Sequence, residues 1–239
     1  MAIIFSLWNE MLKLTTMLLF ALISSSAGAQ DLPPLDATVT YESRLETYAG
    51  VTEIRRFQNL LIRRPGHVWM ERILQVTNEA STPHQDAEKK SEHKHFNFEI
   101  ATQHLSRTQS GEVRADYVDR HHRQIVFVPA TEYSVSGFDG SWDNAAAMVS
   151  EKIVKAMPLA KRATKMADAE WHEEVNKGWY NRVLWSNSYK VALVVESGKT
   201  NGTTQRKTTL TIRPVTPDSM LPWKRLSGYV QKEYDDFMD

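Results

Sequence analysis

The stretch LLIRRPGHVWMER (residues 60–72) contains two alternating segments joined by an Arg-Pro-Gly sequence. Proline followed by glycine is a strong turn signal, because proline fixes one backbone angle and glycine accepts a left-handed one. After the turn, Val68 and Met70 fall on one side of an extended chain, whereas Trp69 and Ile73 fall on the other. Alternation of this kind is typical of half-buried strands, so the stretch predicts an antiparallel hairpin.

Similar strand signals lie on both sides of this hairpin, separated mostly by short turns. The clearest is Ala37–Thr47, in which β-branched and aromatic residues alternate with charged ones. Short connections favour antiparallel pairing over parallel crossovers. The predicted strands are 37–47, 54–63, 67–74, 112–119, 123–128, 183–185, 191–195 and 203–215.

Two segments have helical spacing instead. Trp142–Met157 places alanine, methionine, valine and isoleucine three and four residues apart, with Ser141 as the candidate N-cap. Pro222–Met238 carries an apolar stripe and begins with a proline, which suits a first helical turn. Residues 158–178 are interpreted as a loop with a possible helix. About eight strands and two helices, without strand–helix alternation, predict an α+β domain in which a curved antiparallel sheet carries helices on one face.

The start of the chain predicts export. A lysine at position 13 precedes the apolar run 14–23, and Ala27-Gly-Ala29 forms a small-residue cleavage site, so residues 1–29 are expected to be a signal peptide. Because Glu10 suits a leader poorly, Met11 is an alternative start to Met1. Residues 30–239 are then expected to form one domain. With no cysteine to carry a lipid or a disulfide, a periplasmic protein is the simplest interpretation and a secreted one the alternative.

Composition narrows the classes of partner. The chain has 29 basic and 29 acidic residues, and a neutral chain gives no reason to expect a nucleic-acid partner. The apolar run of the leader is too short to span a bilayer, and no other segment predicts a membrane span in the mature chain. Neither G-x-S-x-G nor a glycine-rich phosphate loop occurs. The expectation is therefore a protein that is not an enzyme and has no cofactor.

Histidines offer one candidate site. Residues 77–94 are polar, lack large apolar side chains and are expected to form a mobile loop. His93 and His95 would fall on one side of an extended segment, where two imidazoles could meet one Cu(II) or Zn(II) ion. The candidate ligands are His84, His93, His95 and His104. The alternative is a solvated polar loop that binds nothing tightly.

Aromatic and polar residues offer two further patterns. His67, Trp69 and Glu71 share a face of one strand, which suits either an acid–base pair or a polar pair beside a tryptophan. Six tryptophans follow the leader, and they either fill a core or line a cavity for an apolar ligand. They are Trp69, Trp142, Trp171, Trp179, Trp185 and Trp223.

The sequence Arg63-Arg-Pro-Gly66 followed by Val68-Trp-Met-Glu-Arg72 resembles the strand turn of the LolA/LolB-like superfamily of periplasmic lipoprotein carriers and receptors. The order of elements over residues 36–215 is similar too, and the resemblance extends to sigma-factor regulators of the RseB kind. It implies a half-barrel whose concave face is covered by helices and whose hollow holds acyl chains. This chain departs from the pattern in three places: no helix fits before its first strand, and neither the insert at 77–94 nor the closing helix has a counterpart.

Two hypotheses for function follow. The first is a non-enzymatic carrier that holds a lipid, a lipoprotein acyl chain or an apolar partner segment in the half-barrel. Its candidate ligand-binding residues are Leu60, Ile62, Arg64, Val68, Trp69, Met70 and Arg72, the two arginines being candidates for the carriers' cavity-facing arginine. The alternative is a periplasmic protein that binds copper or zinc through the histidines named above.

Overall fold

The stretch that predicted a hairpin forms one. In this computed structural model, which describes residues 32–74 and 96–237, strand β2 (Thr52–Arg64) pairs antiparallel with strand β3 (His67–Ile73). Gly66 takes the left-handed conformation that the tight turn requires, with φ of +69°. The predicted leader, the choice between Met1 and Met11, the loop at 77–94 and His84, His93 and His95 lie outside the described residues.

One sheet contains all eleven strands of the described chain. Its order is β11-β6-β5-β4-β3-β2-β1-β10-β9-β8-β7, and every pairing is antiparallel except that of β11 with β6. The remaining strands are β1 (Leu35–Glu46), β4 (Thr102–Arg107), β5 (Val113–Asp119), β6 (Gln124–Val128), β7 (Ala169–Asn176), β8 (Trp179–Ser186), β9 (Val191–Lys199), β10 (Thr204–Arg213) and β11 (Val230–Glu233).

The predicted helix at 142–157 is wrong as a single element. It is two short helices, α1 (Trp142–Ala147) and α2 (Glu151–Ala156). Ser141 caps α1 as expected, its hydroxyl accepting a hydrogen bond from the Asn144 amide at 3.2 Å. Met148 then takes a φ of +66°, and Ser150 begins a new helix by accepting a bond from the Ile153 amide. The second N-cap, at Ser150, therefore starts a new helix although the apolar spacing continues past it.

The predicted helix at 222–238 is also wrong. Short 3₁₀ turns at Pro222–Arg225 and Tyr234–Phe237 flank strand β11, which pairs parallel with β6. Gly228, with φ of +78°, interrupts any helix between them. Of the apolar stripe, Trp223, Leu226 and Tyr234 pack against the sheet from this irregular segment, whereas Val230 is largely exposed.

Besides β11, two strands were not predicted. β4 carries mostly polar residues, so its apolar period is weak, and β7 lies in the charged stretch interpreted as a loop. Both are held by ladders with neighbouring strands rather than by their own propensity. They bring the sheet to its observed width.

The two faces of the sheet are covered by different parts of the chain. We call the first the helix face, where Trp142 and Ala146 of α1 pack on strand residues that include Leu61, Val68 and Leu105. We call the second the strap face, where Leu221 packs on side chains of four strands: Ile62, Trp69, Val118 and Ile125. Residues 218–229 are the strap. The α+β class, with a curved antiparallel sheet and short helices, is confirmed.

Strands β11 and β7 form the two edges of the sheet. At the β7 edge, residues 158–160 run beside the strand, and the Ala160 amide donates to the Trp171 carbonyl at 2.8 Å. Covered edges hinder pairing with other chains. None of the helices in the described residues is long and apolar enough to cross a membrane.

Candidate functional site

The predicted ligand-binding residues divide between the two faces. Val68 lies in the helix-face core and Met70 packs against it. Arg72, two residues further along β3, shares that face by strand alternation. The other four predicted residues, Leu60, Ile62, Arg64 and Trp69, point to the opposite side of the sheet. No single cavity can be lined by all seven.

The strap face is packed solid around its predicted residues. The Trp69 side chain is fully buried, and Ile62 is 3% exposed beneath Leu221. The Trp69 indole N–H donates to Glu71 at 3.0 Å, and Arg120 holds the same carboxylate at 2.8 Å. These residues therefore form a core and not the wall of a hollow.

The Arg64 side chain is engaged in structural contacts. Its guanidinium lies 2.6 Å from the Asp36 carboxylate and donates to the Thr216 carbonyl at 2.7 Å. The other Asp36 oxygen accepts from the Thr216 amide at 2.9 Å. This buried network joins β1, β2 and the chain after β10, so Arg64 has no capacity left for a ligand.

Arg63, which was not among the predicted ligand-binding residues, is a buried cation on the helix face. It is 1% exposed and donates only to carbonyls: that of Pro33 at 3.1 Å, that of Ala146 at 2.7 Å, and those of Tyr189 and Lys190 in the β8–β9 turn. Burial lowers its pKa to about 10. The side chain thus ties β2 to the end of α1 and to a turn 127 residues away.

The helix face also contains an open hollow of about 320 Å³ between the sheet and α1. That volume is at the lower end of the range for ligand pockets. Its lining mixes apolar side chains with two amides, a hydroxyl, a phenol and the Asp139 carboxylate. The lining residues are Tyr41, Met70, Gln103, Gly137, Phe138, Asp139, Asn144, Ala145, Met148, Val195 and Thr208.

Met148 contributes to this lining from the unusual left-handed conformation that separates the two helices. A non-glycine residue with positive φ is strained, and such strain occurs preferentially at ligand sites and switches. Met70 faces it from the sheet. Two flexible thioether side chains give the hollow a wall that can adapt to apolar ligands of different shape.

Beside the hollow, three side chains form a stack on the helix face. The rings of Tyr41 and Phe57 lie 4.7 Å apart, and the Arg72 guanidinium lies 3.8 Å from the centre of the Phe57 ring. Burial raises the pKa of Tyr41, opposed by the nearby charge of Arg72, so Tyr41 is a neutral phenol at neutral pH. Of the two predicted arginines, Arg72 is therefore the one beside the hollow.

The described histidines do not form a metal site. His104 bonds His67 on the strap face, with 3.2 Å between Nε2 and Nδ1, and Trp223 stacks on both rings. Burial lowers the pKa of His104 to about 4, with smaller effects from His67 and Arg114. Within residues 32–74 and 96–237, no three His, Cys, Asp or Glu residues are placed to share a metal ion. The metal hypothesis stays a prediction that depends on the three histidines outside these ranges.

The other side-chain patterns predicted from the sequence have structural roles in the described residues. Glu71 is engaged by Trp69 and Arg120, while His67 bonds His104, so the two do not form an acid–base pair. Trp69, Trp142, Trp171 and Trp185 are core residues, Trp179 is about half exposed, and Trp223 belongs to the strap. None of these tryptophans lines the hollow.

Comparisons with known proteins give distant likenesses only. No protein-family model matches the chain, and no curated protein matches its sequence. It is similar to the solved structure of PNGF-II, with 11% identity and a TM-score of 0.39 over 84% of this chain, although it spans only 33% of that protein. An uncharacterized conserved protein of Thermus thermophilus has 9% identity and a TM-score of 0.39, covering 83% of this chain and 90% of its own.

A third similar structure is a putative outer membrane lipoprotein-sorting protein domain of Vibrio parahaemolyticus. It has 9% identity and a TM-score of 0.29, with coverage of 80% of this chain and 89% of that one. Membership of the LolA/LolB-like superfamily stays a prediction.

Proposed function

We propose that this protein is a non-enzymatic binding or carrier protein that holds a lipid, an acyl chain or an apolar partner segment in the hollow of the helix face. The observation that carries the proposal is the hollow itself, an open space between the sheet and α1 whose wall includes two flexible methionines, Phe138, Ala145 and Val195. Burial of an apolar ligand there would contribute roughly 25 cal/mol per Å² of apolar surface.

The side chains around the hollow support ligand binding and not catalysis. Its polar groups are two amides, a hydroxyl, a phenol and one carboxylate, Asp139, which accepts hydrogen bonds from the Ser141 amide and the Asn144 side chain. No nucleophile is presented with a base among these lining residues. The leader predicted at residues 1–29 supports placing the carrier in the periplasm, where apolar molecules cross between membranes.

The first test is mass spectrometry of protein purified gently from the periplasm. We expect a lipid or another apolar molecule to remain bound in wild-type protein. Ala145→Phe should remove it, because Ala145 lines the hollow and a phenyl ring would occupy the ligand's space.

Ala160→Phe is the matched control, since Ala160 packs outside the hollow. Thermal melting would show that both variants are folded. The proposal is wrong if wild-type protein carries no such molecule and also gives no calorimetric signal with added lipids.

A further inference from the structure

Three arginines surround the R-P-G turn and the strand after it, and the structure distinguishes them by what they already bind. Arg63 is saturated by backbone carbonyls, and Arg64 is neutralised by Asp36. Arg72 contacts an aromatic ring and makes one long hydrogen bond, 3.4 Å, to the Glu99 carbonyl. Among the described residues, no carboxylate lies within ion-pair distance of Arg72.

The position of Arg72 relates it to the hollow. Met70 lines the hollow, and Arg72 follows on the same face of β3, about 7 Å further along the strand. Tyr41 also lines the hollow and stacks on Phe57, over which the guanidinium lies. An elongated molecule with its apolar part in the hollow would therefore reach Arg72 with its end.

Arginine suits one class of end group. Its planar fork of N–H donors matches the oxygens of a carboxylate or a phosphate, and the phenyl ring beneath it holds the fork in place. Arg72 is half-buried, so its charge is less screened than that of a fully exposed side chain. A neutral head group would gain none of this attraction.

We propose that the hollow selects amphiphiles with an anionic head group, a carboxylate or a phosphate monoester, which Arg72 binds while the apolar chain lies between the sheet and α1. This inference rests on the proposed function and names the class of ligand. Tyr41 borders both parts of the site and, as a neutral phenol, has a proton to donate to the head group.

The test is calorimetric titration of delipidated protein with decanoate, decyl phosphate and decanol, each below its aggregation concentration, and with acetate and inorganic phosphate as head groups alone. We expect the two anionic amphiphiles to bind about tenfold more tightly than decanol, the lower end of what a hydrogen bond to a charged group contributes. Whichever of decanoate and decyl phosphate binds more tightly identifies the preferred head group. Acetate and phosphate should bind far more weakly than either.

Arg72→Gln should bring the anionic ligands to the affinity of decanol and leave decanol binding unchanged. Arg182→Gln is the matched control, because Arg182 lies on the distant strand β8 and pairs with Glu173 at 3.0 Å. Arg72→Lys gives a second variant if the first does not fold.

Equal binding of decanol and the anionic ligands by wild-type protein would overturn this inference while leaving the carrier function intact. Tight binding of acetate or phosphate alone would overturn it as well, because the hollow would then have no part. If none of the decyl ligands binds, this inference fails. The proposed function fails with it only if the purified protein also carries no apolar molecule and gives no calorimetric signal with added lipids.

Discussion

The helix face and the strap face of the sheet are covered by different kinds of chain and are packed differently. On the strap face, the side chains of residues 218–229 lie directly on Ile62, Trp69, Val118 and Ile125 and leave them almost fully buried. On the helix face, two short helices separated at Met148 cover the sheet incompletely and leave the hollow. An irregular segment can follow a sheet residue by residue, whereas a short rigid helix meets it along one stripe.

The largest expected effect is on the helix face. Arg63→Met should lower the free energy of unfolding by about 4 kcal/mol, because it leaves buried carbonyls of three chain segments without a donor. Urea denaturation measures it. Arg56→Met, at an exposed surface pair, should stay within about 0.5 kcal/mol. A loss below about 1 kcal/mol for the Arg63 variant would show that the tie between β2 and the β8–β9 turn is not needed.

The next effect is on the strap face. Leu221→Ala should cost about 3 kcal/mol, because Leu221 is 4% exposed and its removal leaves a cavity over Ile62 and Trp69. The neighbouring Met220→Ala, at a side chain that is half exposed, is the control and should change stability little. Equal effects of the two variants would contradict the solid packing described for this face.

Acid should weaken the strap face specifically. The pKa of His104 is lowered from 6.5 to about 4, and that of His67 is lowered by burial and by Lys224, so the folded protein favours the neutral imidazoles. The stability they contribute is complete above about pH 6.5 and is lost as pH falls toward 4. For His104 this amounts to about 2 kcal/mol between about pH 7.5 and pH 5.

Denaturation at the two pH values measures this loss. His104→Gln should reduce the pH dependence, whereas His121→Gln, in an exposed turn, should retain it. The carboxyl pKa values of Asp119 and Glu151 are also lowered, and these groups affect stability only at more acidic pH, below this window. If the stability of the His104 variant depends on pH as that of wild-type protein does, another group causes the loss of stability in acid.

The smallest expected effect comes from enlarging a side chain, which distinguishes the hollow of the helix face from the filled core of the strap face. Ala145→Leu enlarges a side chain beside an existing space and should change stability by no more than about 0.5 kcal/mol. Ile62→Trp, an enlargement in the strap-face core where the side chain is 3% exposed, should cost about 2 kcal/mol. Similar costs at the two sites would mean that the helix face is packed as tightly as the strap face.

The candidate site was only partly predictable. Alternation along β3 assigned Met70 and Trp69 to opposite faces, which is correct, but it did not say which face would keep a space. Phe138, Ala145 and Met148 reach the hollow from a segment whose predicted helix is broken in the structure. A possible signal was Ser150, a second candidate N-cap inside the predicted helix.

The sequence by itself determined the features that depend on neighbours along the chain: the alternation of the strands, the R-P-G turn with its left-handed glycine, and the cap at Ser141. Only the tertiary structure decided the roles of Arg63, Arg64 and Arg72, because their partners come from other strands, from α1 and from turns up to 152 residues away. It also decided that the last segment is a strap and a strand. The spacing of residues along a strand specifies which side of the sheet a side chain faces. The side chains that it contacts there come from segments distant in the sequence, which only folding brings to the sheet.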